Sequence, residues 1–388
     1  MALFGQGKIS SAPAKPEPHS LPAIATGGRG AFAPMDDLLC LTVESGASDI
    51  HLSVGAPPTL RIHGKLVRLE TRALLAEDTD SFAREIADSD QIHRLNSEGS
   101  VDFAMTHQGQ SRFRVSLYRQ KGTTALAMRL LPKQMLSFKE IGMPAVVEQL
   151  IRMPRGLVVV TGPTGSGKTT TLAAMLHAIN TQVGAHIVTI EDPIEYIHEH
   201  QLGMVHQREI GRDVSSFPEG LRRALRQDPD VIFVGEMRDL ETMETAIRAA
   251  ETGHLVFSTL HTTGAGRTVD RIVDSFPSHQ QEQIRIQLST NLKGVISQLL
   301  IPRIDKSGRI AVFEVMTNTH AIGALIRDNK TFRIATEIQT GAKYGMLTIE
   351  QSLVDLYLSG VIAREEVFAK AQDPELATQL LAGREPRH

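Results

Sequence analysis

Apolar residues fall into two rhythms along this chain. From Met35 to Val43 they recur at helical spacing, and then Asp49-Ile50-His51-Leu52-Ser53 and Leu60-Arg61-Ile62-His63-Gly64-Lys65-Leu66-Val67 alternate as strands, the second pair turning at Gly64. A helical stretch from Glu77 to Leu95 follows, after which Val101 to Met105, Ser111 to Tyr118 and Thr124 to Leu130 alternate again at period two. The pattern predicts a small mixed α/β domain over residues 35–132, closed by Pro132. From Phe138 the rhythm changes to short continuous apolar strands separated by helices, which is how a mostly parallel sheet covered on both faces reads. Four such strands are placed: Leu157 to Thr161, His186 to Ile190, Val231 to Val234 and Leu255 to Thr259. Each ends in polar residues. Open α/β sheets bind ligands at the carboxyl ends of their strands, so these four ends are expected to converge on one site. This second domain is assigned to 138–300. The portion 301–388 reads as helical, including Thr319 to Arg327 and Thr348 to Leu358, with the last dozen residues frayed. Residues 1–34 are rich in Pro, Gly, Ala and Ser with few large apolar side chains, and read as a disordered tail.

With 388 residues, 41% of them apolar, the chain is long enough for two or three domains with a large core. The formal charge of -3 provides no global basic field, and four Tyr with no Trp leave few rings to stack on bases, which argues against a nucleic-acid groove. The single cysteine, Cys40, excludes a disulfide framework and a cysteine-built zinc site; in the run Leu38-Leu39-Cys40-Leu41 it reads as core. Every apolar run is far shorter than the roughly 18 residues of a membrane span, and no signal-peptide core follows Lys8 or Lys15. A cytoplasmic location is the expectation.

The chemistry concentrates after the first strand of the second domain. Gly162-Pro163-Thr164-Gly165-Ser166-Gly167-Lys168-Thr169 fits G-x-x-x-x-G-K-[ST] in full, follows Leu157-Val158-Val159-Val160 and opens a helix over Thr170 to Asn180. Its glycines let backbone wrap phosphates closely, Lys168 is expected to reach the β and γ phosphates of ATP, and Thr169 to hold Mg²⁺. Glu191, ending the second strand, and Glu236, capping the third, aim carboxylates at that loop; hydrolysis needs one acid on the metal side, assigned to Glu236, and one on the water side, assigned to Glu191. His254 and His261 flank the fourth strand, where either a sensor of the γ phosphate or a histidine hydrogen-bonded beneath the sheet end fits the pattern. Arg222, Arg223 and Arg226 form a basic cluster read equally as a solvated face or as a subunit or phosphate contact.

These residues resemble the secretion-superfamily ATPases, and within them the PilT-type retraction ATPases of type IV pili. Gly162 to Thr170 is similar to the family's Walker A, Thr189-Ile190-Glu191-Asp192-Pro193-Ile194-Glu195-Tyr196 to its Asp box, Asp228 to Asp239 to its Walker B, and Ala250 to His254 with Thr259 to Thr263 to its His box. Ala47-Ser48-Asp49-Ile50-His51-Leu52 resembles the opening of its N-terminal domain. The resemblance implies a RecA-like P-loop ATPase core, a small PAS-like α/β N-terminal domain and a helical C-terminal portion. It also implies a homohexameric ring in which ATP is completed by arginines of the small domain, at positions matched by Arg112, Arg114 and Arg129. The ring would dock on an inner-membrane pilus platform protein as a peripheral complex at the cytoplasmic face and drive pilin depolymerisation and twitching motility. The related type II secretion and pilus-assembly ATPases carry a tetracysteine zinc subdomain that one cysteine cannot build, which favours retraction. Ala321 to Asp328 resembles the retraction motif A-I-R-N-L-I-R-E but places Gly323 and Ala324 where Arg and Asn are expected. A pilus-assembly or secretion ATPase, a nucleic-acid translocase and a nucleotide-gated scaffold are the competing readings.

Overall fold

The computed structural model describes residues 33–132 and 134–384, which divide into two compact units at Leu130 and Leu131. The expectation of a disordered tail over 1–34 falls almost entirely outside the described residues.

The N-terminal unit is built on a six-stranded antiparallel sheet in the order β3-β2-β1-β6-β5-β4. Its strands are β1 (Asp49–Leu52), β2 (Thr59–Ile62), β3 (Lys65–Arg68), β4 (Ser100–His107), β5 (Ser111–Gln120) and β6 (Thr123–Leu131). On β5 the period-two pattern is plain: Phe113, Val115 and Leu117 are fully buried, whereas Arg112, Arg114 and Ser116 between them are half-exposed. Helices Met35–Glu44, Ala76–Ile86 and Ser89–Glu98 cover the buried face through Leu38, Leu39, Phe82 and Leu95. The single helical stretch expected over 77–95 is therefore two helices. The break falls at Asp88, whose carboxylate accepts from the Gln91 N–H at 2.8 Å and caps the second.

The C-terminal unit carries a seven-stranded sheet in the order β13-β12-β7-β11-β10-β8-β9. Its strands are β7 (Gly156–Thr161), β8 (His186–Glu191), β9 (Met204–Glu209), β10 (Val231–Val234), β11 (Leu255–Leu260), β12 (Leu292–Pro302) and β13 (Arg309–Thr317). All neighbouring pairs are parallel except β12 with β13. Helices on both faces explain why β7 is buried at every position: Val158 and Val160 look into one core, Leu157 and Val159 into the other. Removing each such side chain from water stabilises the fold by about 2 kcal/mol. The sheet runs on to Thr317, so the part after 300 begins with strands and becomes helical only from His320. The last dozen residues are not frayed throughout: helix Pro374–Ala382 packs Ala377 and Leu381 into a core with Ile349, Leu353 and Ile362. Among the described residues, no helix is long and apolar enough to cross a membrane.

Candidate active site at the strand ends

The loop Gly162 to Gly167 links β7 to helix Lys168–Gln182. Its first glycine is required twice over. Gly162 has φ 142°, and a Cβ there would lie 2.2 Å from the Gln298 carbonyl oxygen and 2.7 Å from Ser166 Oγ. Pro163, Thr164 and Gly165 are exposed, while Ser166 and Lys168 are buried. Gln298, on β12, braces the loop from beneath: its Nε2 donates to the Ser166 carbonyl at 2.8 Å and its Oε1 accepts from Thr171 Oγ1 at 2.6 Å. Thr161 Oγ1 and Ser297 Oγ lie 2.7 Å apart just below.

The loop's donors suit a polyphosphate. Lys168 Nζ turns back into the loop, donating to the carbonyl oxygens of Gly162 at 2.8 Å and Pro163 at 3.2 Å. Burial pushes its ammonium below the usual lysine range, against the pull of Glu236. A poorly hydrated cation of this kind gains most from an anion that replaces its backbone partners. The first-turn N–H groups of the helix have no intrahelical acceptors, and the Ser166 hydroxyl is buried without a hydrogen-bond partner. Thr170 Oγ1 sits 3.0 Å from the Tyr196 hydroxyl, at the side of the loop. Thr169 is half-buried in the first helical turn, where its hydroxyl fits a hard, oxygen-seeking cation such as Mg²⁺.

Parallel register brings the other strand ends alongside. Thr161 pairs with Leu260, and Val234 with both Ser258 and Ile190, so Gly162, His261, Glu236 and Glu191 leave the sheet on one edge. Glu236 is engaged by Arg238 Nε at 2.6 Å and faces His261 Nε2 at 3.6 Å. Glu191 is 7% exposed; its Oε1 accepts from Thr189 Oγ1 at 2.6 Å and Gln207 Nε2 at 3.0 Å. Gln207, on β9, is itself held, donating to the Tyr196 carbonyl at 2.8 Å and accepting from the His198 N–H at 2.8 Å.

Other expected site residues lie elsewhere. His254 precedes β11 at its amino end, where its carbonyl accepts from Gly156 N at 3.0 Å and its Nδ1 lies 3.0 Å from the Ala249 carbonyl oxygen. A six-residue strand separates it from the P-loop edge, about 20 Å away. The expectation that His254 senses the γ phosphate bound by its own P-loop is thereby corrected: seven residues of extended chain reach from one edge of the sheet to the other. The basic cluster resolves into local pairing, Arg222 with Glu219 and Glu241 and Arg223 with Glu219. Arg112, Arg114 and Arg129 belong to the N-terminal unit. There Arg112 Nη1 donates to Thr106 Oγ1 at 3.3 Å, Arg114 pairs in register with Ala104, and Arg129 Nε donates to Asp49 Oδ1 at 2.8 Å. Burial pushes the Asp49 carboxyl up, but hydrogen bonds from Ser48 and Arg129 outweigh it and hold the group below its ordinary range.

Gln207 and Gln298 were not singled out from sequence. Gln207 is 16 residues from Glu191 and Gln298 is 132 residues from Ser166, so only the sheet order reveals either contact.

The sequence matches the family described as type II/IV secretion system protein over residues 34–321. It is similar to the type IV pilus retraction ATPase PilT of Pseudomonas aeruginosa, 46% identical over 339 residues that cover 87% of this chain and 98% of the relative. It is also similar to a twitching motility protein of Neisseria gonorrhoeae, 45% identical over 82% of this chain and 85% of the relative. Among solved structures it resembles the pilus retraction motor PilT with bound ADP, with a TM-score of 0.83, 46% identity and coverage of 90% of this chain and 100% of that one.

Proposed function

Since the chain belongs to the type II/IV secretion system protein family and is an ATPase of its pilus-retraction type, we propose that it works as a homohexameric motor coupling ATP hydrolysis to pilin depolymerisation and twitching motility. The observation that carries this reading is the convergence of a complete P-loop with Glu191 and Glu236 on one sheet edge. Lys168 leaves the backbone carbonyls to meet the β and γ phosphates, while the loop's N–H groups cradle them. Thr169 and Glu236 are the residues that would hold Mg²⁺, whose charge, when bound, shields the phosphate oxygens. Glu191, fixed by Thr189 and Gln207, orients the attacking water and receives its proton. His261 faces Glu236 and is the histidine suited to report on the γ phosphate.

Arg112, Arg114 and Arg129 supply positive charge from the small domain only when domains close in the ring, which ties hydrolysis to motion. The motor docks peripherally on an inner-membrane platform protein at the cytoplasmic face. With a net charge of -3 it has no field for non-specific nucleic-acid binding.

The test is pilus retraction in cells whose own copy is deleted and replaced by wild type or Glu236→Ala. Abundant surface pili that cannot retract, with movement restored only by wild type, is the expected result. Loss of pili altogether, or loss of secretion with no pili involved, would assign the motor to the assembly or secretion branch. Gly323 and Ala324, which depart from the retraction motif, are the observation that keeps that branch in play.

A further inference from the structure

We propose that Asp36, Cys40 and His107 form a binding site for a zinc-class divalent cation in the N-terminal unit, unrelated to the ATPase machinery. One ligand atom from each residue lies within 4.8 Å of those of the other two. Cys40 Sγ is 3.5 Å from His107 Nε2, whereas Asp36 Oδ1 lies 3.6 Å from the other ring nitrogen, Nδ1; an ion held between Sγ and Nε2 is reached by the exposed Asp36 carboxylate through a side-chain rotation away from Nδ1. Tetrahedral zinc with Zn–S of about 2.3 Å and Zn–N of about 2.0 Å spaces its sulfur and nitrogen ligands by about 3.5 Å, the distance found here. Asp36 and Cys40 stand one helical turn apart on Met35–Glu44 and so share a face. His107 ends β4 and is fixed from both sides. Its ring packs edge-on against Phe113 at 6.5 Å, and its carbonyl accepts from Gln110 N at 3.0 Å across a turn in which Gln108 and Gly109 both have positive φ.

The surroundings support a cation. Gln108 Nε2 donates to Asp36 Oδ2 at 3.1 Å and approaches Cys40 Sγ at 3.8 Å, so it can orient the ligands from outside the coordination shell. A thiolate and a carboxylate with a neutral imidazole balance a 2+ ion, and thiolate with imidazole selects zinc over Mg²⁺ or Ca²⁺. On binding, the sulfur–metal bond replaces the S–H bond and the thiol proton goes to solvent; a water takes the fourth position. The ion would pin the first helix to the β4–β5 turn. The sequence suggested core packing for Cys40; the structure leaves it half-exposed beside His107, and the site needs one cysteine where a cysteine-built site needs several.

Because Cys40 is the single cysteine, cobalt substitution gives an unambiguous readout. Metal-free full-length protein titrated with Co²⁺ should develop a thiolate-to-cobalt charge-transfer absorption at one equivalent, displaced by Zn²⁺. Cys40→Ser should abolish the band. His107→Gln and Asp36→Asn should each weaken binding about tenfold or more, while His206→Gln, in a separate histidine cluster with His186, should leave it unchanged. Zinc-bound wild type should melt higher than metal-free protein, and Cys40→Ser should lose that increment. Absence of the charge-transfer band in the wild type would overturn the proposal without any variant having to fold, and so would zinc binding unaffected by Cys40→Ser in a folded variant.

Discussion

Gln207 Nε2 donates to Glu191 Oε1 at 3.0 Å, binding the edge strand β9 to the carboxylate that ends β8. With Thr189 Oγ1 on the same oxygen at 2.6 Å, Glu191 has one oxygen saturated by neutral donors, which fixes its orientation without neutralising it. Glu191→Gln should therefore leave ATP bound but slow hydrolysis by about 10²-fold or more, the size of a lost general base. Gln207→Ala removes that fixing bond together with those to the Tyr196 carbonyl and the His198 N–H, but leaves the Glu191 carboxylate in place; kcat should fall by a smaller factor than in Glu191→Gln. Equal losses in nucleotide affinity in the two variants would show that Glu191 binds nucleotide instead of activating water.

Lys168 is 9% exposed and leans on two carbonyl oxygens of its own loop. Its charge sits where burial already opposes it. Lys168→Ala should abolish ATP binding and turnover while the melting temperature stays at or above that of the wild type, because a costly buried cation is removed. Unchanged phosphate release would remove the P-loop from the reaction.

The parts of this molecule that announce themselves in sequence are those where local sterics dictate residue type. Gly162 is legible because a Cβ would strike the Gln298 carbonyl, and β7 because burial on both faces demands an unbroken apolar run. What stays hidden depends on sheet order. β9, Met-Val-His-Gln-Arg-Glu, is an edge strand with Met204 and His206 exposed, so its polarity reads as loop although it carries Gln207. β12 and β13 extend the sheet beyond the four strands legible in the chain. Two histidines flanking one strand look equivalent in sequence, yet parallel register sends His261 to Glu236 and His254 to the opposite edge.

Arg112 and Arg129 separate a role in catalysis from one in folding. Arg129 partners Asp49, which is 7% exposed, so Arg129→Ala leaves that buried carboxylate with Ser48 at 2.8 Å and Arg61 at 3.9 Å but without its donor on Oδ1, and should lower both turnover and melting temperature. Arg112 bonds to the Thr106 hydroxyl at an exposed position, and Arg112→Ala should lower turnover in the assembled ring about 10²-fold with stability unchanged. Full activity from a monomeric species would refute the proposal that these arginines act only when domains close in the ring.

Gly323 sits inside helix His320–Arg327, where Ala would ordinarily gain up to about 1 kcal/mol. Here a Cβ would lie 2.9 Å from the Ser289 carbonyl oxygen, on the adjoining helix Ser278–Asn291, and a backbone atom cannot swing aside. Gly323→Ala should therefore destabilise the protein, by about 1–3 kcal/mol, read as a lower denaturation midpoint at unchanged slope. Gly323→Arg should cost more, so the retraction motif's arginine cannot be restored here by one substitution. A stabilised Gly323→Ala protein would mean the two helices meet less closely.

Two buried groups pull the pH dependence of stability in opposite directions. Burial, reinforced by Glu350 and opposed by the Ala265 N–H bond and Arg267, raises the Glu314 carboxyl from 4.5 to about 7. Burial, with His177 nearby, lowers the His198 imidazole from 6.5 to about 4, and its Nδ1 has no hydrogen-bond partner. Between pH 4.5 and 7 the folded chain keeps a proton on Glu314 that the unfolded chain releases, so this group's contribution falls as pH rises. Between pH 4 and 6.5 the unfolded chain binds a proton on His198 that the folded chain refuses, so that contribution rises with pH. Over their common range the two slopes cancel, and each spans up to about 3 kcal/mol. Glu314→Gln keeps an acceptor for Ala265, whose N–H reaches Glu314 Oε1 at 2.7 Å. Relative to wild type, it should gain stability progressively from pH 5 to 7 and hold that gain at pH 8. His198→Gln should gain stability only as pH falls below 6.5. Chemical denaturation at pH 5, 6, 7 and 8 reads both differences, and parallel curves for wild type and Glu314→Gln would show that Glu314 ionises in the folded protein as freely as in the unfolded chain.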